Sequence, residues 1–240
     1  MNIIIPLAGK DSRFEEKNIF KAFVEVEGKP LIKFCIDTLP WPFQEENVNL
    51  IFIILREHDK KYNVSNKLKE LYPDSKIIYL DEETEGAACT ALLAKDLINN
   101  DDELVIYLAD IYFKGDIKTS IKTKKNVEGF IPCFKSNKDK YSYAKLNEDG
   151  TVKEVAEKSV ISDNASAGFY YFRHGKSFVK AAENMIKDPN KKAGMHGAKK
   201  WFFICPVYND LIELGEKVEI IPVKFEFDLG DDEFIGKYLP

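Results

Sequence analysis

Apolar positions along the chain gather into short runs of aliphatic and β-branched residues: NIIIPL (2–7), NLIFIIL (49–55), KIIYL (76–80) and ELVIYLA (103–109). Runs that are continuous rather than alternating predict strands buried on both faces. Between them lie longer stretches with helical character, GKPLIKFCIDTL (28–39), DKKYNVSNKLKELY (59–72) and GAACTALLAKDLI (86–98). Strands and helices alternating at this spacing predict right-handed βαβ crossovers and an α/β fold built on a doubly wound, mostly parallel sheet.

After Asp110 the rhythm changes. VEGFIPCF (127–134), YSYAKLNEDGTVKEVAE (141–157) and ASAGFYYF (165–172) read as strands with few helices between them, and EDG (148–150) has the chemistry of a hairpin turn. An antiparallel extension on one side of the sheet is expected. Helices are predicted near 175–187 and 199–214, then a strand-like segment KVEIIPVKFEFDLG (217–230) and a short closing helix. With no repeat and no low-complexity linker, 1–240 reads as one domain, 1–110 forming one half and 111–240 the other.

Composition narrows the possibilities. Apolar residues make up 45% and charged residues 31%, which suits a folded globular chain. The net charge of −5 and the lack of an extended basic block argue against nucleic acid as a partner. Cys35, Cys89, Cys133 and Cys205 are far apart with no CxxC pair, so reduced, structural thiols are expected. The opening MNIIIPLAG is too short for a signal peptide or a membrane span, and a cytoplasmic location is expected, with no membrane partner.

Candidate chemistry starts where the first strand ends. In IIIPLAGKDSRF (3–14), Gly9 lets backbone N–H groups approach an anion, and Lys10 and Arg13 bring positive charge to the same loop. The stretch matches neither a Walker loop nor a G-x-G-x-x-G fingerprint, and such a loop can also be simply solvated. Lys21, in FKAFVEVEGKPLIKF (20–34), follows closely enough that two cations could converge on one triphosphate.

Seven stretches, PLAGKDSRF, KAFVEVEGKPLI, TEGAACTALL, YLADIYF, EVAEKS, ASAGFYYF and FDLGDDEF, occur in this order across nearly the whole chain. Together they resemble the landmarks of the nucleotidyltransferases that make sugar nucleotides. The resemblance implies a Rossmann-like, GT-A-like nucleotide-binding fold, with 1–110 binding nucleotide and 111–240 binding acceptor. It also implies the reaction of a nucleoside triphosphate with a phosphorylated small molecule to give a nucleoside diphosphate derivative and pyrophosphate, dependent on Mg²⁺.

Carried onto this chain, the resemblance assigns Leu7, Ala8, Gly9, Lys10, Asp11 and Ser12 to the nucleotide loop. Arg13 would stabilise the β and γ phosphates, and Lys21 would bridge the α-phosphate and the acceptor phosphate. Asp110 and Asp228 match the carboxylates that hold the metal, and each follows a strand, where a rigid hard-oxygen ligand suits Mg²⁺; either could instead be a turn or cap residue. Glu157, Lys158, Ala167 and Gly168 match the acceptor-side pairs, although a Glu-Lys pair at a strand end can also be a weak surface ion pair.

For the base, Gly86, Ala87 and Ala88 offer small side chains at a helix start, and Glu85 could accept a hydrogen bond from an exocyclic amine. That favours cytosine or guanine over uracil and thymine, and so CTP; Glu85 as a plain helix N-terminal glutamate stands beside it. The chain looks closest to small bacterial enzymes of capsular and surface-polysaccharide precursor synthesis. Glutamine phosphate, phosphocholine or a sugar 1-phosphate is the expected acceptor, and a homodimer the expected assembly.

Two departures from the family pattern stand out: Asp11 replaces a common second glycine, and Ala22 follows Lys21 where proline is common. Trp201 and Tyr208 are further candidates for the acceptor pocket, while His58, His174 and His196 have no metal-ligand spacing. A glycosyltransferase is the enzymatic rival, weakened by the lack of a D-x-D pair in YLADIYF. A nucleotide sensor without turnover is the other rival, although the charged residues it would have shed are all present.

Overall fold

The computed structural model describes residues 1–37, 39, 48–196, 199–228, 234, 237 and 238. At its centre is a ten-stranded sheet. Lys76–Leu80, Asn49–Leu55, Asn2–Leu7 and Leu104–Tyr107 lie side by side in that order, all parallel. The chain therefore leaves the Asn2–Leu7 strand in one direction, builds two strands outward, and returns to its other side. At such a reversal the flanking connections diverge to opposite faces and leave a crevice at the strands' carboxyl ends.

Beyond Leu104–Tyr107 the sheet becomes antiparallel, as the change of rhythm predicts. Phe169–Phe172 pairs with it, followed by Gly129–Lys135, Asn164–Ser166, Ser142–Leu146 and Val152–Glu157. The last two form the expected hairpin, its turn closed by the Asn147 N–H donating to Thr151 O at 2.8 Å and by Gly150 at φ +84°. Val218–Pro222 also joins the sheet, parallel to Gly129–Lys135.

The three inner parallel strands, Asn49–Leu55, Asn2–Leu7 and Leu104–Tyr107, bury both faces, which is why their sequences do not alternate, whereas the edge strand Lys76–Leu80 is largely half-buried or exposed. Ile3, Ile5, Phe52 and Ile54 pack with Leu31, Ile32 and Ile36 of the helix Leu31–Asp37. Ile4, Ile51, Ile53 and Ile106 point the other way, against Ala88, Ala91 and the Gly175–Lys187 helix residues Phe178, Ala181 and Met185. Successive side chains on opposite faces thus feed two separate apolar layers, giving the three-layer α/β architecture. Cys35, Cys133 and Cys205 are buried thiols, and burial pushes Cys35 up to about 12; Cys89 is half-buried.

Several elements differ from expectation. The 59–72 helix is two, Arg56–Tyr62 and Val64–Leu71, broken at Asn63, which sits in the left-handed region (φ +54°) while Asp59 Oδ1 accepts from Ser65 N at 2.7 Å. The 86–98 stretch likewise splits into Ala87–Leu92 and Lys95–Ile98. In 199–214, helix is confined to Val207–Glu213 after Pro206, and Lys199–Trp201 forms a strand against Ala193–His196, because the aromatic stretch before the proline favours extended backbone. The 217–230 segment divides into Val218–Pro222 and Lys224–Asp228. Most of the closing helix and Leu229–Glu233 of FDLGDDEF lie outside the described residues. No helix among the described residues is long and apolar enough to cross a membrane.

Gly175 opens the helix that covers one face of the sheet, and a Cβ there would lie 2.0 Å from the Ile98 carbonyl oxygen. Gly175→Ala is expected to cost about 2–3 kcal/mol of stability, read from urea denaturation, because the helix must move off its layer. An unchanged midpoint would contradict this packing.

Candidate active site

The topological crevice is a real cleft of about 310 Å³. Its floor is the end of the first strand and the loop after it, Pro6 to Asp11, and the turn Leu108–Ala109–Asp110 at the end of the neighbouring strand. Lys21, Glu83, Thr84, Gly86, Ala87, Thr90, Trp201 and Phe203 complete its walls. Of the expected nucleotide residues, Leu7, Ala8, Gly9, Lys10, Asp11, Gly86 and Ala87 line it, together with Lys21 and Asp110.

Asp110 is aimed by strain in the backbone before it. Ala109 holds φ +56°, a conformation that costs an alanine about 1 kcal/mol or more, and such strain concentrates where a functional side chain must be turned. Gly168, at φ +68°, accepts a hydrogen bond from Leu108 N at 2.9 Å, and a Cβ on it would come within 3.3 Å of Asp110 Oδ1. The Ala167–Gly168 pair therefore leaves room for the carboxylate rather than contacting the cleft itself.

Asp228 reaches the same place by pairing. Lys224–Asp228 runs antiparallel to Ile111–Lys114, a strand the sequence did not suggest, and the register sets Asp228 opposite Ile111. The two aspartates, distant in sequence, become neighbours. Burial raises the Asp110 carboxyl above its ordinary value; Lys21 opposes the rise and the charge of Asp228 adds to it. Asp228, also buried, pairs with Lys140 Nζ at 2.6 Å. Asp110 Oδ1 is enclosed and has no hydrogen-bond partner. Two adjacent carboxylates, one with an unsatisfied buried oxygen, form a donor set that fits a hard divalent cation, and Asp110 and Asp228 could hold one.

The remaining cations rest on carboxylates. Lys10 Nζ sits 2.7 Å from Glu57 Oε2, and that hydrogen bond raises the lysine above its ordinary value. Arg13 lies outside the cleft lining and is gripped by Asp11, Nε to Oδ1 at 3.0 Å and Nη2 to Oδ2 at 2.8 Å. Burial pushes the Asp11 carboxyl up, but Arg13 and Lys21 outweigh it and hold the group below its ordinary value. Asp11 also caps the short helix Ser12–Glu15, of which Ser12, exposed, is the first residue. The departure from glycine at position 11 thus builds a counterion into the loop.

On the base side, the Thr84 and Thr90 hydroxyls lie 2.7 Å apart and both donate to Gly86 O, at 2.9 and 3.2 Å. Gly86 holds φ +129°, and a Cβ on it would lie 2.4 Å from Phe202 O, so only glycine lets the 201–203 segment close over the helix start. Glu85 points elsewhere: it is exposed, outside the lining, and paired with Lys192 Nζ at 2.5 Å. Glu83 is the carboxylate that lines the cleft. Trp201 lines it too, whereas Tyr208 is wholly buried in the core.

Glu157 and Lys158 close the hairpin strand next to this cleft. Glu157 is partly buried and accepts a hydrogen bond from Ser142 Oγ. Lys158, at φ +52°, places Nζ 5.1 Å from the centre of the Phe203 ring, a cleft wall. Sequence reasoning missed Glu83, Thr84, Thr90, Phe203, Lys140 and Ser142. The two threonines both lie within TEGAACTALL, and their spacing of six, with a glycine between, was an available signal; Lys140 and Ser142 carried none.

A family model described as Nucleotidyl transferase matches residues 16–200. The bifunctional protein GlmU of Thermotoga sp. (strain RQ2) is 23% identical over 231 residues, covering 92% of this chain and 46% of that protein. The chain thus spans about half the length of the curated relatives it matches. Among solved structures, a nucleoside-diphosphate-sugar pyrophosphorylase from Vibrio cholerae RC9 superposes with a TM-score of 0.78 at 24% identity, over 100% of this chain and 99% of that one. The inositol-1-phosphate CTP transferase from T. maritima gives 0.68 at 12% identity, over 99% and 95%. These likenesses establish the shared fold.

Glu157 yields a pH test of the site. Burial pushes its carboxyl up to about 7 from an ordinary 4.5, with the Ser142 hydrogen bond and Lys158 opposing. Between those values the unfolded chain ionises while the folded one keeps the proton, so this group's contribution to stability is lost as pH rises through about 7. Glu157→Gln is expected to raise stability by up to about 3 kcal/mol at about pH 8 and to change it little at about pH 5, measured by urea denaturation. An equal effect at both pH values would contradict the assignment.

Proposed function

The chain belongs to the Nucleotidyl transferase family, and we propose that it transfers a nucleotidyl group from a nucleoside triphosphate to a phosphorylated small molecule, releasing pyrophosphate. The observation that carries this reading is the meeting, in one crevice at the sheet's switch point, of the glycine loop, Lys21 and Asp110, with Asp228 set beside Asp110 by its register on Ile111. A cleft of about 310 Å³ suits a small ligand, and cations beside paired carboxylates suit a metal-bound triphosphate better than any neutral one.

An acceptor phosphate oxygen attacks the α-phosphorus in line; the new P–O bond forms as the bond to the bridging oxygen breaks, and pyrophosphate leaves with that electron pair. The protein's part is positioning and charge stabilisation. Gly9 leaves open space for the triphosphate to approach the loop backbone. Lys21 faces the α-phosphate and the incoming phosphate, holding two mutually repelling groups within reach of each other. Arg13, leaving Asp11, meets the charge that develops on the departing pyrophosphate. Asp110 and Asp228 would hold Mg²⁺, which when bound draws off charge from the triphosphate oxygens. Lys158 beside Phe203 offers the acceptor phosphate a second cation, and Glu157 accepts from the acceptor's polar groups.

CTP is the favoured nucleotide. Glu83, the carboxylate on the cleft, can accept from the exocyclic amine of cytosine but would face carbonyl oxygens in uracil or thymine. With Glu85 engaged by Lys192, Glu83 takes the role that the sequence reading gave its neighbour. The acceptor classes remain glutamine phosphate, phosphocholine and sugar 1-phosphates, and a cell-surface precursor is the product class.

Pyrophosphate release, assayed with Mg²⁺, each common nucleoside triphosphate and a panel of these acceptors, tests the reading. Turnover is expected with CTP and one acceptor; turnover with UTP or dTTP alone would discard the base assignment. Arg13→Ala and Lys21→Ala are each expected to lower kcat about a hundredfold to a thousandfold. Activity within twofold of the parent in both variants would overturn the mechanism.

A further inference from the structure

Lys140 is a cation bound to one of the paired carboxylates that neither the sequence pattern nor the transfer mechanism above uses. Its Nζ lies 2.6 Å from Asp228 Oδ2, its side chain is 33% exposed, and that of Asp228 is 8% exposed. Its charge also bears on Asp110, lowering the cost of ionising that carboxyl. The lysine therefore sits where a divalent cation would sit, but it satisfies only part of the donor set. Asp110 Oδ1 stays enclosed and without a partner. A divalent ion can serve both carboxylates at once and carries twice the charge, so it competes for Asp228 on favourable terms.

The backbone places Lys140 beside the acceptor-side hairpin. The next residue, Tyr141, accepts the Lys158 N–H on its carbonyl at 3.0 Å, and Ser142 pairs in register with Glu157. Lys140 thus lies in the turn just before the hairpin strand Ser142–Leu146, two residues from the pairing of Ser142 with Glu157, and reaches Asp228 with its ammonium. Its ammonium already lies 5.0 Å from the centre of the Tyr141 ring, which gives the stem a fixed apolar rest.

We propose that Lys140 is an exchangeable cation of the active site: it occupies Asp228 in the metal-free protein, and the arriving divalent ion displaces it toward the phosphate of the acceptor. Lys140 is then a phosphate-binding residue additional to Lys21 and Lys158. The proposal rests on the transferase reading for its second half, whereas the first half concerns the metal site alone.

The test separates the two. Mn²⁺ is titrated into the nucleotide-free protein and followed by electron paramagnetic resonance, for the parent, Lys140→Met and Lys140→Arg. Removing the competing charge is expected to tighten Mn²⁺ binding about tenfold in Lys140→Met and to leave Lys140→Arg near the parent. Steady-state kinetics should show the acceptor KM raised about tenfold in Lys140→Met, with the nucleotide KM within about twofold. Unchanged or weaker Mn²⁺ binding in a folded Lys140→Met protein would overturn the exchange, and an unchanged acceptor KM would overturn the phosphate role. Tighter Mn²⁺ binding in a protein that turns over no nucleotide with any acceptor would uphold the exchange and overturn the transferase reading instead.

Discussion

Two carboxylates set side by side at a sheet edge repel each other, and the arrangement around Asp110 and Asp228 answers that repulsion. Folding brings them together because the register of Lys224–Asp228 on Ile111–Lys114 leaves no other place for Asp228. Burial then removes the water that would have screened them, so their charges fall to neighbouring groups to balance. Lys140 and Lys21 supply part of that balance from the protein itself. The unsatisfied Oδ1 of Asp110 is what remains, and in the proposed function that shortage of positive charge is met by a cation and the triphosphate that travels with it.

The cations of the nucleotide loop have the complementary problem. Lys10 and Arg13 would repel each other and Lys21 if left bare, and each is held by a carboxylate, Glu57 and Asp11. These pairs are exposed enough to be weak, so a triphosphate can replace the carboxylates at little cost. The loop is thus neutralised when empty and remains exchangeable. On the proposed function both halves of the site use the same device, an internal ion-pair partner occupying a position that substrate or metal would take over. The rigid frame beneath, two parallel strands ending at the switch point, keeps those exchanges local.

Much of this frame is legible in the chain because burial on two faces writes itself as continuous apolar runs: Ile3 to Ile5 and Ile51 to Leu55 could hardly be anything but interior strand. The loop after the first strand and Lys21 were readable from residue type and order. What was not readable depends on geometry that sequence spacing does not carry. Asn63 ends one helix by a left-handed turn, and the partner of Ile111–Lys114, Lys224–Asp228, comes from more than a hundred residues further along the chain. Glu85 looked like a base reader by position, yet a lysine on a distant segment, Lys192, holds it away from the cleft. Lys140 has no motif at all, and its place follows from the hairpin register that fixes Ser142 against Glu157.

In the proposed function, a triphosphate and a divalent ion sit between the glycine loop and the paired aspartates. A crystal structure with Mn²⁺ and a non-hydrolysable CTP analogue, located by the anomalous signal of the metal, tests it most directly. A single strong peak between Asp110 and Asp228 is expected, with the triphosphate running from there along Gly9 toward Arg13. Nucleotide bound elsewhere, or bound in the cleft with no metal on either aspartate, would contradict it.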